Sequence, residues 1–303
     1  MPAPSTCVIF NPKAGRGRAP KLVDGTRRWA APDAVVRATE VPGHAIFLAK
    51  QAAEEGFGRI IAAGGDGTIH EVANGLMLAN RPDVVLGVWP LGSANDYAFS
   101  LGLTPWWKSQ GKGVQLEAKR LDIGWVTGAG RELFFANCCG FGFNGLVALE
   151  SRRIRWLRGI PLYALAFLRV VAWQYRTPML KLTIDGIEVT KPTLALTVNL
   201  GKREGGFPIT LQAKLDDGRF DCIHVTDVSR WELVKYLPGI MFGKVPADHP
   251  KIHQPTASKV ELEADEPMCL HCDGEFFCKP ADDIRRATIE VLPKRLLVEC
   301  CIP

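Results

Sequence analysis

The chain has 303 residues, of which 47% are hydrophobic and 23% are charged, and its formal net charge is +5. This length exceeds one typical core, so we expect two domains. The charge suits anionic partners such as nucleotides or an acidic membrane surface, but it is too small to indicate nucleic-acid binding. The first residues lack the basic and apolar regions of a secretory signal, so we expect a cytoplasmic protein.

The first part of the chain alternates predicted strands and helices. Predicted strands cover residues 7–10, 34–39, 59–63 and 84–89, and predicted helices cover residues 20–31, 44–55 and 68–79. This alternation is typical of a parallel sheet covered by helices.

A glycine-rich turn, Gly64-Gly65-Asp66-Gly67-Thr68, joins the strand at 59–63 to the helix at 68–79. Glycines lack a Cβ, so the backbone can approach a bulky anion, and a helix N-terminus attracts negative charge. We therefore predict a phosphate-binding turn. The alternative is an Asx turn in which Asp66 caps the following helix.

Two further strand ends open into loops of similar character. Asn11–Arg18 follows the first strand, and Pro90–Tyr97 follows the strand at 84–89. Ligands of open α/β sheets bind at the carboxyl ends of the strands. Neither loop has the P-loop or Rossmann fingerprint, which disfavours an ordinary P-loop kinase or a dehydrogenase.

The chain becomes rich in predicted strands after about residue 121. These strands cover Arg120–Val126, Leu133–Cys139, Leu180–Ile184, Thr193–Leu200, Asp221–Val225, Lys259–Glu263 and Thr288–Leu292. Asp-Gly turns at 185–186, 217–218 and 273–274 separate some of them. The pattern predicts an antiparallel sandwich.

The nine cysteines are scattered along the chain. Cys269 and Cys272 have a spacing that suits zinc, but a structural zinc site needs four ligands and a second pair is missing. We therefore expect reduced cysteines packed in strands.

The stretch from Ser151 to Met179 contains six arginines, no Asp or Glu, and many aromatic and aliphatic residues. Its apolar part is too short to span a bilayer, and Arg169 interrupts it. Two interpretations remain open: an interfacial helix on anionic lipid, and a core-packed helix with a solvated basic end.

The loops that follow the first strands also carry a family resemblance. They resemble the diacylglycerol kinase catalytic-domain family, which includes bacterial soluble lipid kinases, sphingosine kinases and ceramide kinases, and which is distantly similar to NAD kinases and phosphofructokinases. The matching motifs are Asn11-Pro12 with Gly15 and Gly17, Gly64–Thr68, Pro90–Asp96, Leu121–Gly124, Gly140–Asn144, Asp216–Asp221 and Asp273–Glu275. The resemblance covers nearly the whole chain.

The resemblance implies a two-domain α/β fold. Residues 1–124 would form a Rossmann-like parallel α/β domain that binds the nucleotide, and residues 125–295 an antiparallel β-sandwich that binds the lipid. Residues 296–303 would pack back on the first domain.

The implied activity is that of an ATP-dependent lipid kinase, which transfers the γ-phosphate to a lipid hydroxyl, with diacylglycerol or a related glycerolipid as the expected acceptor. ATP and Mg²⁺ are the implied cofactors. The alternatives are a sphingoid-base or ceramide-type lipid kinase, an NAD kinase-like enzyme with a soluble acceptor, and a nucleotide-binding regulator without catalysis. We expect peripheral membrane contact through 151–179 and no nucleic-acid partner, and we leave a homodimer open.

Phosphoryl transfer needs a rigidly held nucleotide, a cation and a base. The expected nucleotide contacts are Asn11, Arg16, Thr39, Gly64, Gly65, Asp66, Gly67, Thr68 and Ser93. Asp66 would also hold a catalytic Mg²⁺ through water or assist proton transfer. Glu275 is the expected general base, and the alternative for it is an exposed glutamate at a strand end.

The resemblance implies two further sites in the second half of the chain. Asp217, with the carbonyls of Lys214 and Arg219, would bind a structural Mg²⁺. From spacing alone, this stretch is a hairpin turn. Asn144 stands where many family members have an Asp that contacts the lipid head group, and an amide cannot pair with a cationic amine. This departure favours a neutral lipid acceptor over a sphingoid base.

Overall fold

The computed structural model describes residues 6–17, 33–103, 115–154, 156–157, 160–244, 246 and 248–301. The helix predicted at 20–31 lies outside the described residues. The chain divides into two compact units, residues 1–122 with 293–303 and residues 123–292.

The first unit contains a parallel sheet covered by helices, as predicted. Its strands are β1 (Thr6–Phe10), β2 (Val35–Ala38), β3 (Arg59–Gly64), β4 (Val85–Pro90) and the end of the last strand of the chain, β19 (Arg286–Cys301). They lie in the order β2-β1-β3-β4-β19, and every pairing is parallel. The helices are α1 (His44–Glu54), α2 (Asp66–Ala79) and α3 (Asp96–Ser100), and Ala14–Gly17 forms a 3₁₀ turn.

The register of this sheet brings the predicted loops to one edge. Phe10 pairs with Ala63, and Ala63 pairs with Trp89, so the chain leaves β1, β3 and β4 at the same level. Strands β1, β3 and β4 are almost entirely buried, as expected for the central strands of a parallel sheet with helices on its faces.

The second unit contains two large antiparallel sheets and a two-stranded one formed by Arg203–Glu204 and Phe207–Pro208. Its strands are β5 (Leu116–Gly128, of which Ile123 onward belongs to this unit), β6 (Arg131–Phe135), β7 (Cys138–Gly142), β8 (Met179–Ile184), β9 (Ile187–Pro192), β10 (Ala195–Asn199), β11 (Arg203–Glu204), β12 (Phe207–Pro208), β13 (Phe220–Val225), β14 (Ile252–His253), β15 (Thr256–Ala257), β16 (Lys259–Ala264), β17 (Leu270–Cys272) and β18 (Glu275–Cys278). Its helices are α4 (Phe143–Ser151), α5 (Ile160–Trp173) and α6 (Arg230–Met241), and Pro280–Asp282 forms a 3₁₀ turn.

The two large sheets of the second unit enclose one apolar core. The first sheet has the order β14-β13-β10-β7-β17-β18, and the start of β19 joins β16, β8 and β9 in the second. Phe141 and Phe220 of the first sheet belong to the same buried cluster as Leu182 and Leu262 of the second. The predicted sandwich is therefore confirmed.

Helices α4, α5 and α6 lie on the other face of the first sheet. Phe143, Val170 and Leu233 bring the three helices into one buried cluster with Ala195 of β10. The apolar stretch of residues 151–179 is therefore packed against protein along one side. In the described part of the chain, no helix combines the length and apolarity that crossing a bilayer requires.

All nine cysteines lie among the described residues and are free thiols. Burial raises the pKa of Cys269 and Cys278 to about 12, so both remain protonated at neutral pH. Within the described residues there is no group of three or more His, Cys, Asp or Glu side chains that could hold a metal. The burial of eight of the nine thiols agrees with the predicted packing of the cysteines.

Candidate active site

The loops after β3 and β4 touch each other through their glycines. A Cβ on Gly65 would lie 3.2 Å from the Cα of Gly92, and a Cβ on Gly92 would lie 2.7 Å from the Cα of Gly65. The amide of Leu91 donates to the carbonyl of Gly64 at 2.7 Å. Side chains at these two positions would separate the loops, so their glycines are required by the close approach of the backbones.

Asp66 connects these two loops through hydrogen bonds. Its Oδ1 accepts from the amides of Asp96 and Tyr97 at 2.7 and 3.4 Å, and its Oδ2 accepts from the amide of Asn95 at 2.8 Å. The carboxylate thus caps the N-terminus of α3 rather than that of its own helix, α2. Magnesium binding through Asp66 remains a prediction.

Asn11 and Thr68 link the loop after β1 to the glycine turn. Asn11 Nδ2 donates to Thr68 Oγ1 at 3.3 Å, and the amide of Asn11 donates to the carbonyl of Ala63 at 3.0 Å. The side chain of Thr68 occupies the space beside Gly64, where a Cβ would lie 2.2 Å from its Oγ1. Only glycine at 64 leaves room for this hydroxyl at the start of α2.

The other predicted nucleotide contacts lie at or near the same sheet edge. The amide of Thr39 donates to the carbonyl of Phe10 at 2.8 Å, and Ser93 is exposed in the loop after β4. For Arg16 the structure describes the backbone, in the 3₁₀ turn, but not the side chain. Glycine backbone, hydroxyl and amide groups at a helix N-terminus fit a nucleoside phosphate chemically. Nucleotide binding by these residues remains a prediction.

In the second unit, Glu275 follows a tight turn whose shape depends on Asp273. Asp273 has a φ of 53°. Its carboxylate accepts from the amides of Ala136, Asn137 and Cys138 at 2.9, 3.0 and 2.8 Å. These bonds hold a bend between β6 and β7. The single strand predicted over Leu133–Cys139 is therefore wrong, because the chain forms two strands there.

Glu275 forms an ion pair with an arginine that the sequence analysis considered only as part of the 151–179 stretch. Arg152, just after α4, forms an ion pair with Glu275 Oε2 at 3.0 Å and donates to the carbonyl of Gly274 at 2.6 Å. Its guanidinium also lies 4.8 Å from the centre of the Phe276 ring. Both charged side chains are nearly half exposed, so the Glu275 carboxylate is accessible to solvent.

The predicted metal site at Asp217 has a composition that fits a hard cation. Asp217 Oδ1 accepts from the amide of Arg219 at 3.1 Å, and the Arg219 side chain turns away to Asp185 and Thr256. Burial, together with the charge of Asp217, raises the pKa of Asp221 nearby. A magnesium ion held by Asp217 and backbone carbonyls would offset that repulsion, and this site also remains a prediction.

Asn144 belongs to a cluster of polar side chains on the outer face of the first sheet. Its Nδ2 donates to Thr197 Oγ1 at 2.5 Å and to Glu204 Oε2 at 3.3 Å. His271 Nε2 lies 3.3 Å from Glu204 Oε1. We refer to Asn144, Thr197, Glu204 and His271 as the Glu204 cluster.

Comparison with known proteins identifies the family to which the chain belongs. The model of the diacylglycerol kinase catalytic domain matches residues 5–126, and that of the YegS C-terminal NAD kinase beta sandwich-like domain matches residues 137–300. The chain belongs to the diacylglycerol kinase family. Membership of this family identifies the protein as a kinase.

Curated relatives of this family member cover most of its length. A probable lipid kinase YegS-like from Chromohalobacter salexigens is 30% identical over 275 residues, covering 89% of this chain and 86% of the relative. A diacylglycerol kinase from Bacillus subtilis is 31% identical over 277 residues, covering 89% of each. A crystal structure of a putative diacylglycerol kinase from Bacillus anthracis has a TM-score of 0.76 at 22% identity, covering 100% of this chain and 99% of that one, and it supports the fold.

Several residues of this diacylglycerol kinase family member were not singled out from the sequence. Arg152 appeared only as one of six arginines in the 151–179 stretch, and its contact with Glu275 joins positions that are far apart in the chain. Glu204 and Thr197 carried no local motif, and His271 appeared only within the Cys269–Cys272 spacing that was considered for zinc. Asp273 did carry a signal, because an Asp-Gly pair predicts a turn, but the pair does not reveal which amides the carboxylate accepts from.

Proposed function

We propose that the protein is an ATP-dependent lipid kinase that transfers the γ-phosphate of ATP to the hydroxyl of diacylglycerol or a related glycerolipid. The observation that carries the proposal is the glycine turn of the first unit, which Asp66 fixes to the loop after β4 through three backbone amides. A rigid glycine backbone at the start of a helix is suited to polyphosphate. The family of the chain then favours a lipid as the acceptor.

Each part of the reaction has a candidate group in this chain. The first-unit loops would orient the phosphates, with Asn11 and Thr68 presenting amide and hydroxyl groups. Glu275 would accept the proton of the acceptor hydroxyl, and Arg152 would hold the carboxylate in position. Mg²⁺, when bound, would neutralise the charge on the transferred group.

The test is phosphoryl transfer from γ-labelled ATP to a panel of acceptors, followed by separation of chloroform and aqueous phases. We expect label in the chloroform phase with diacylglycerol. Label that appears only in a soluble acceptor such as NAD would favour the NAD kinase-like alternative. Tight nucleotide binding without turnover of any acceptor would favour a non-catalytic regulator.

We also propose that the protein contacts membranes peripherally through residues 151–179, and that exposed aromatic side chains contribute most of the affinity. Trp156 is 73% exposed and Trp173 is 77% exposed. The four arginines of this stretch that the structure describes each lie within 4.0 Å of a carboxylate of the same chain, which weakens their attraction to anionic lipid. These pairs are Arg152–Glu275, Arg153–Glu150, Arg169–Glu150 and Arg176–Glu266.

Vesicle co-sedimentation tests this contact. Replacing Trp173 with Ser should weaken binding to anionic vesicles about tenfold, because a large apolar surface no longer enters the lipid interface. The matched control is Phe47→Ser, which removes an exposed aromatic side chain from α1. Equal binding by the two variants would contradict the proposed contact.

A further inference from the structure

The Glu204 cluster is a polar site on one face of the first sheet of the second unit. Thr197 of β10, Gly140 of β7 and His271 of β17 occupy one row across three neighbouring strands. Alternate residues of these strands, such as Cys139 and Leu270, face the sandwich core. The row therefore lies on the opposite face, the one that the helices cover.

Gly140 makes this arrangement sterically possible. A Cβ at this position would lie 2.4 Å from His271 Nε2 and 3.1 Å from the Cβ of Asn144. The imidazole thus occupies the space above the glycine and points its Nε2 towards Glu204. The sheet and the start of α4 together fix the position of the Glu204 carboxylate.

The Glu204 carboxylate has weak partners. Asn144 Nδ2, Thr197 Oγ1 and His271 Nε2 lie 3.3, 3.4 and 3.3 Å from its oxygens, whereas well-formed bonds to a carboxylate measure about 2.7–2.9 Å. Among the residues that the structure describes, no lysine or arginine forms an ion pair with it. The Glu204 side chain is only 16% exposed, and its hydrogen bonds are long. The carboxylate can therefore accept a further, stronger hydrogen bond from a ligand.

The buried imidazole also points to a ligand. The His271 side chain is 4% exposed, and within the described residues neither of its ring nitrogens makes a hydrogen bond of good geometry. Buried polar atoms are rarely left without such a bond.

The strand register connects the cluster with the proposed base through neighbouring residues of β18. His271 pairs across the strands with Phe276, which adjoins Glu275. If Glu275 takes the proton of the hydroxyl that is phosphorylated, that hydroxyl cannot also satisfy Glu204. Diacylglycerol has a single hydroxyl and no other hydrogen-bond donor.

We propose that Glu204, supported by His271, Thr197 and Asn144, binds a second hydroxyl of the acceptor, so that the preferred substrate is a glycerolipid with two free hydroxyl groups. This inference rests on the proposed lipid kinase function and narrows its acceptor class. Glu204 is a binding residue in this scheme, and His271 is a positioning residue that keeps the carboxylate in place.

The test compares two acceptors that differ only in the second donor, 1-O-decylglycerol and 1-O-decyl-2-O-methylglycerol. Both retain the primary hydroxyl. For the wild-type protein we expect kcat/KM to be about 10–100-fold lower with the methyl ether, the range for losing a hydrogen bond to a charged group. In Glu204→Gln the two acceptors should differ by less than about threefold. The control Glu188→Gln, an exposed glutamate paired with Lys181, should keep the wild-type ratio.

The outcomes separate this inference from the proposed function. If the wild-type protein phosphorylates both ethers equally well, or if Glu204→Gln keeps the wild-type ratio, the second-hydroxyl site is wrong while the lipid kinase stands. If 2-aminododecan-1-ol, which has an ammonium group in place of the second hydroxyl, is the best acceptor and Glu204→Gln removes that preference, the ligand of Glu204 is an ammonium group and the diol assignment is wrong. If no lipid is phosphorylated at all, the lipid kinase proposal fails, and this inference fails with it.

Should Glu204→Gln not fold, Glu204→Asp gives the same test. Aspartate keeps the negative charge on a side chain that is one methylene shorter. We expect its ratio of kcat/KM for the two acceptors to lie between those of the wild-type protein and of a neutral variant. A wild-type ratio in a folded Glu204→Asp protein would overturn the proposal.

Discussion

Replacing Asp66 with Asn should lower the stability of the first unit as well as its activity. The carboxylate accepts three backbone amides from the loop after β4 and the start of α3. An amide side chain keeps one acceptor oxygen and replaces the other with a donor. One of the three amides would then face an NH₂ group instead of an oxygen.

The magnitude follows from these contacts. Leaving one buried backbone amide without an acceptor costs about 1–3 kcal/mol. Losing a negative charge at the N-terminus of a helix costs about 0.3–1 kcal/mol more. We therefore expect the free energy of unfolding to fall by about 1–4 kcal/mol.

Urea unfolding, monitored in parallel with phosphoryl transfer, measures both effects. Asp83→Asn is the matched control, because Asp83 is an exposed aspartate of the same unit that pairs with Arg81. Its free energy of unfolding should change by less than about 1 kcal/mol. If Asp66→Asn were as stable as this control, the carboxylate would not be what fastens the two loops.

Further predictions concern the second unit. Glu275→Gln should lower kcat about 10²–10⁴-fold without changing nucleotide affinity, and a loss below tenfold would exclude Glu275 as the base. Arg152→Gln should lower kcat about tenfold but cause no further loss in the Glu275→Gln background; additive losses would show that Arg152 acts independently. Asp217→Ala should abolish stabilisation by Mg²⁺ in thermal unfolding, and unchanged stabilisation would place the ion elsewhere. Gly140→Ala should displace His271 and raise KM for the lipid about tenfold while KM for ATP is kept, whereas an unchanged lipid KM would argue against the Glu204 cluster as a lipid site.

The parallel sheet was predictable because its determinants are local. Strands β1, β3 and β4 are short apolar runs that end at or just before Gly, Asn or Pro, and the predicted boundaries of β1 to β4 differ from the observed ones by at most one residue. The long strand β19 was predicted only over Thr288–Leu292. Pro293 and the positive φ of Lys294, 52°, interrupt the local pattern, while pairing with β16 and with β4 keeps the chain extended on either side.

The candidate site was predictable only where a motif is contiguous. The glycine turn could be recognised, but the capping of α3 by Asp66 could not, because the amides it binds lie in another loop. The contact between Arg152 and Glu275 likewise depends on how α4 packs on the sheet. From composition alone, Arg152 could be described only as part of the 151–179 stretch, for which membrane contact was expected.

The most direct test of the proposed function is the stoichiometry of the reaction with a glycerolipid in mixed micelles. Phosphorus NMR of the chloroform extract would identify the lipid phosphomonoester, while ADP is measured in the aqueous phase. We predict one ADP for each phosphomonoester with the wild-type protein, and neither product above background with Glu275→Gln. ADP release without a phosphorylated lipid would contradict the assignment of a lipid hydroxyl as the acceptor.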